Sequence, residues 1–124
     1  MNIPPEDVER IAALGYTERE AVFLYIVATH SGYFTRRQFD AFVGIAGARR
    51  SGPFAQKVLK RGHATLRDYM GTGSVFHLFS RRIYAPIEKH KRANLCRHSF
   101  DHIRTRLVKL DFLLENQQYD FLES

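Results

Sequence analysis

Residues 51–82 read SGPFAQKVLKRGHATLRDYMGTGSVFHLFSRR, and the hydrophobic period changes partway through them. Ser51-Gly52-Pro53 is a helix start signal, because serine can cap and proline is tolerated in the first turn. Phe54, Val58 and Leu59 supply the buried side of that helix, and Gln56, Lys57, Lys60 and Arg61 its outward side, before Gly62 ends it. Past Gly62 the spacing becomes two, with Ala64, Leu66, Asp68 and Met70 on one side of a strand and Thr65, Arg67 and Tyr69 on the other. Gly71-Thr72-Gly73-Ser74 is a turn signal, and residues 75–79 are rich in strand-preferring side chains. The stretch therefore predicts a helix followed by a two-stranded hairpin.

Upstream, three more helices are predicted. Pro4-Pro5 followed by Glu6 and Asp7 opens the first, with Val8, Ile11 and Ala12 as its apolar stripe and Gly15 as its stop. Thr17-Glu18-Arg19-Glu20 fits a capping box, and the segment after it is apolar nearly all round until Gly32, which makes it central. Tyr33 and Phe34 lead to Thr35, a second cap, and residues 36–43 turn Phe39, Phe42 and Val43 inward before Gly44 and Gly47 break the helix. Downstream of the hairpin, Pro86 limits any helix near Tyr84. Ala93, Cys96, Phe100, Ile103, Leu107, Leu110 and Leu114 then recur at alternating intervals of three and four, a heptad seam on one long helix. Those seam apolars exceed what the small core needs, so Cys96, Phe100, Ile103, Leu107, Leu110 and Leu114 are expected to form a homodimer interface, the alternative being a helix packed back within the chain on the first one.

The expected fold is mainly α with a small β-hairpin, in two parts: residues 1–87, and a helical dimerisation segment over 88–124. Three stretches carry a resemblance: Thr17-Glu18-Arg19-Glu20, Gly32-Tyr33-Phe34-Thr35-Arg36-Arg37-Gln38-Phe39 and Phe76-His77-Leu78-Phe79-Ser80-Arg81-Arg82. In this order of elements the chain resembles the winged helix-turn-helix domain of replication-relaxation-type proteins of plasmids and other mobile elements. It resembles more loosely regulators that append a C-terminal dimerisation helix. The resemblance implies that the helix starting near Ser51 enters the major groove of DNA and that the hairpin touches backbone or minor groove. The connection over residues 45–52 departs from it, being longer than a tight helix-turn-helix turn.

Charge agrees with that direction. The 124 residues carry a net charge of +6, distributed as −3 over residues 1–31, +10 over 32–92 and −1 over 93–124. A basic middle block between acidic flanks attracts a polyanion, and its arginines outnumber its lysines, as suits phosphate and guanine edges. The candidate DNA contacts are Arg36, Arg37, Arg49, Arg50, Ser51, Gln56, Lys57, Lys60, Arg61, Arg67, Arg81 and Arg82. The expected function is sequence-specific binding of double-stranded DNA in transcription regulation or as a replication accessory factor. The competing expectation is a protein-interaction module that docks an acidic partner on the same basic block.

Other classes find less support. A hydrophobic fraction of 44% fills a core at this length, and one domain-sized chain excludes a multidomain enzyme. Cys96 is the single cysteine, so no internal disulfide forms, and a cytoplasmic, soluble protein without a membrane span is expected. No nucleophile elbow, phosphate loop or zinc-protease motif appears, so neither catalysis nor a cofactor or metal is expected. His98 and His102 have a chelating spacing without further ligands, and Tyr84 has the setting of a DNA-nicking tyrosine without the histidine cluster that such chemistry needs.

Overall fold

A computed structural model of the chain describes residues 3–44, 51–69, 73–85 and 100–115. These form α1 (Pro5–Ala12), α2 (Glu18–His30), β1 (Tyr33–Phe34), α3 (Arg36–Val43), α4 (Ser51–Lys60), β2 (Ala64–Tyr69), β3 (Gly73–Leu78), α5 (Arg81–Tyr84) and α6 (Phe100–Glu115). The protein is mainly helical with one small antiparallel sheet in the order β1-β3-β2.

Helix α2 is the axis of the core. Its capping box closes as expected, Glu20 N–H donating to Thr17 Oγ1 at 3.1 Å and Thr17 N–H to Glu20 Oε1 at 2.9 Å. Every residue from Ala21 to Thr29 is buried, which is what an all-round apolar helix requires. Gly32, at φ +83°, then turns the chain sharply into β1. Around α2 the aromatic rings interlock: Phe23 meets Phe34 and Phe39 edge-on at 5.3 and 5.1 Å, and Phe39 stacks on Phe54 at 4.0 Å.

Strand β1 is absent from the sequence reading, where Tyr33 and Phe34 are only a lead-in. Two residues are too few for any period to register, yet they pair with β3 at Tyr33↔His77 and Phe34↔Phe76. Strand β3 becomes central, and the sheet acquires two buried faces. Phe34, Phe76, Leu78 and Ala64 belong to the α2 core, while Tyr33 and Val75 form a second cluster with Ile103 and Leu107 of α6.

That second face takes up side chains expected at a dimer interface and agrees with the intramolecular alternative for them. Ile103, Leu107 and Leu110 are buried within the chain at 1%, 7% and 0% exposure, and Leu114 packs partly buried against the main core. The far face of the sheet uses Ile103 and Leu107, and the main core uses Leu110. Polar clamps hold α6 there: Gln38 Nε2 donates to Leu107 O and to Asp111 Oδ1, both at 2.9 Å, and Arg106 Nη1 donates to Ser31 O at 3.1 Å. Cys96 and the Phe100 side chain lie outside the described residues. A smaller correction concerns Leu59, expected on the buried side of its helix and found 37% exposed; Leu66, on the same side of its strand as Ala64, is 45% exposed. Strand β2 is an edge strand, and only its first residue, Ala64, is buried. Among the described residues no helix is long and apolar enough to cross a membrane.

Candidate nucleic-acid interface

The basic side chains assemble around α4, which is about 15 Å long at 1.5 Å per residue. At its N-terminal end lies the start of α3, where a second capping box joins Thr35 and Gln38: Gln38 N–H donates to Thr35 Oγ1 at 3.2 Å and Thr35 N–H to Gln38 Oε1 at 2.9 Å. Arg36 and Arg37 are exposed there. The α4 N-terminus itself is already occupied by a carboxylate of this chain. Asp40 accepts from Ser51 N–H at 3.1 Å and from Ser51 Oγ at 2.9 Å, and Arg36 Nε donates to the same Oγ at 3.4 Å. Ser51, expected as a DNA contact, is 2% exposed and serves instead as a latch between α3 and α4. A carboxylate satisfies the first amide of a helix and complements its dipole, so a phosphate gains little at that position. Arg49 and Arg50 lie outside the described residues.

At the C-terminal end, the outward set of α4 divides. Gln56 and Lys60 are exposed. Lys57 and Arg61 are fastened to the corner between α1 and α2. Lys57 Nζ lies 2.6 Å from Glu20 Oε1 and 5.4 Å from the Tyr16 ring centre, and Arg61 Cζ lies 6.0 Å from the same ring. Gly15, at φ +113°, leaves room for that guanidinium, since a Cβ there would stand 2.5 Å from Arg61 Cζ. Sequence reasoning missed this corner; the signal available was an aromatic, Tyr16, between a helix-stopping Gly15 and the cap Thr17.

Beneath those cations lies a buried neutral pair. The Tyr16 hydroxyl and His63 Nδ1 share a hydrogen bond at 2.5 Å, and His63 is 4% exposed. Burial, with the Arg61 and Arg82 guanidinium groups nearby, holds the His63 imidazole below the usual histidine range. Burial pushes the Tyr16 phenol above its usual range, so it keeps its proton. The same arrangement shows that Arg61, from the end of α4, and Arg82, from α5, share one electrostatic neighbourhood although 21 positions separate them in sequence.

The hairpin contributes less uniformly. Arg67 is exposed on β2 opposite Val75, beside Tyr33 and His77, whose rings stack at 4.6 Å. Asp68 accepts a hydrogen bond from Ser74 Oγ near the hairpin tip. Arg81 and Arg82 are exposed at the hairpin base, where Ser80 Oγ accepts from Arg82 N–H at 3.2 Å. Tyr84 is 1% exposed and its phenol donates to Leu78 O at 2.7 Å, so this hydroxyl ties α5 to the sheet and does not face solvent. Among the described residues no three histidine, cysteine or acidic side chains gather as a metal site. No protein-family model, no curated protein and no solved structure matches the chain.

Proposed function

We propose that the chain is a double-stranded-DNA-binding protein of the winged helix-turn-helix kind, acting without catalysis as a transcriptional regulator or replication accessory factor of the type found in mobile elements. The observation that carries this reading is topological. Helix, strand, helix, helix, strand, strand follow one another from α2 to β3, and the first strand returns to the sheet beside the last, in the order β1-β3-β2. That order is the one a winged helix-turn-helix uses to set one helix beside a hairpin on a common face. Helix α4 is then the recognition helix. Gln56 and Lys60 lie on its exposed side, Arg36 and Arg37 stand at the start of α3, and Arg67, Arg81 and Arg82 lie on the hairpin and just past it. In this reading Lys57 and Arg61 set the field and orient α4 through Glu20 and Tyr16, and Ser51 holds the helix pair together. Ile103, Leu107 and Leu110 need no second copy to cover them, since they are buried within the chain.

The test is fluorescence anisotropy of a labelled duplex over a salt series. Several phosphate contacts make the logarithm of affinity fall linearly with that of salt, by about 0.9 per contact. Failure to bind any duplex at low salt, or a flat response, overturns the reading. Polyglutamate that displaces the duplex at equal charge concentration replaces it with an acidic protein partner.

A further inference from the structure

A cleft of about 400 Å³ opens between the start of α3, the hairpin near Ser74 and the outer side of α6. Its lining includes Arg36, Arg37, Arg104, Leu107, Val108 and Asp111. The lining joins polar and apolar side chains: Leu107 and the 67% exposed Val108 are apolar, and Arg36, Arg37 and Arg104 bring guanidinium groups, that of Arg36 also donating to Ser51 Oγ. Asp111, the one carboxylate among the described lining residues, accepts from the buried Gln38 amide, which turns part of its charge toward the protein. First-turn amides of α3 add to the positive side: the capping box uses Gln38 N–H, while those of Arg36 and Arg37 have no acceptor within the helix. A bare phosphate needs no apolar lining, and an apolar ligand needs no arginines. The volume lies at the lower end of the range for small-molecule sites.

We infer that this cleft binds a small organic anion, a carboxylate on an apolar body. The planar carboxylate matches the guanidinium fork of Arg36, Arg37 and Arg104, and the body covers Val108 and Leu107. The site does not rest on DNA binding and is tested on the DNA-free protein.

Phenylacetate is the probe, followed through the backbone amide resonances of uniformly labelled full-length chain. A ligand of roughly ten heavy atoms at ordinary efficiency gives saturable shifts at Ser74, Arg104 and Val108 with a dissociation constant on the order of 1–10 mM. Neutral phenylacetamide and inorganic phosphate bind at least about tenfold more weakly, and Arg104→Gln weakens phenylacetate by about tenfold through loss of a charged hydrogen bond. Lys109→Gln, on the same helix but outside the cleft lining, leaves the affinity unchanged. Shifts that do not saturate, phosphate binding as tightly as phenylacetate, or equal affinity in a folded Arg104→Gln protein each overturn the inference.

Discussion

Both ends of α4 are basic in sequence, and they are differently built. At the N-terminal end the Asp40 carboxylate occupies the helix start through Ser51, with Arg36 drawn onto the same hydroxyl. At the C-terminal end Lys57, Arg61 and Arg82 surround the uncharged Tyr16–His63 pair, and Glu20 is the carboxylate paired with Lys57. The contrast teaches that a count of basic residues does not identify contacts. What each cation touches decides whether it holds the helix or remains available to a polyanion.

The N-terminal end depends on α6, which clamps α3 through Gln38. Leu110, fully buried in the main core, is therefore where the largest effect is expected: Leu110→Ala costs about 2–5 kcal/mol, read as a lowered urea midpoint. A variant of unchanged stability that only alters self-association would restore the seam to a role between copies. Next comes Asp40→Ala, which strips both acceptors from Ser51 and costs about 1–2 kcal/mol by the scale of lost helix caps. If stability holds, the latch between α3 and α4 is not a support.

The C-terminal end should respond to acid instead. The folded-state pKa of His63 is depressed, so the unfolded chain takes up this proton more readily than the folded one. Its contribution is fully present above the unfolded value of about 6.5 and is lost as pH falls from there through the folded value. Urea midpoints that decline below that pH in the wild type, and decline less in His63→Gln, fit this arrangement; parallel profiles would break it. The smallest effect is Lys57→Met, about 1 kcal/mol or less, because Glu20 keeps its capping bond and such ion pairs contribute little. A larger loss would make Lys57 a structural support for the helix.

How far these ends could be read in advance follows from the range of the signals involved. Thr17, Thr35 and Gly44 act over one helical turn, and α2 and α3 begin and end where those residues predict. The hairpin follows from its glycines and its strand-preferring residues, although Gly73 and Ser74, expected in the turn, belong to β3 and pair with Tyr69 and Asp68. Strand β1 was illegible because two residues carry no period, and the second sheet face went with it. Without Tyr33 and Val75 as partners, Ile103 and Leu107 looked like apolars in search of another chain. The candidate site fared similarly. Exposure of Gln56, Lys60, Arg81 and Arg82 follows from helix and turn position, whereas the ties of Lys57 to Glu20 and Ser51 to Asp40 span 37 and 11 positions and leave no local mark.

Both ends of α4 are proposed to meet DNA phosphates, and the salt dependence of duplex affinity tests that most directly when measured on three proteins. These are the wild type, Arg36→Gln with Arg37→Gln for one end, and Lys60→Gln with Arg82→Gln for the other, each first shown to be folded by circular dichroism. Each pair should weaken binding to every duplex and flatten the slope by about 2 units, close to one per lost contact. Affinity and slope equal to the wild type in both folded pairs would contradict the proposal and leave these cations as solvated surface.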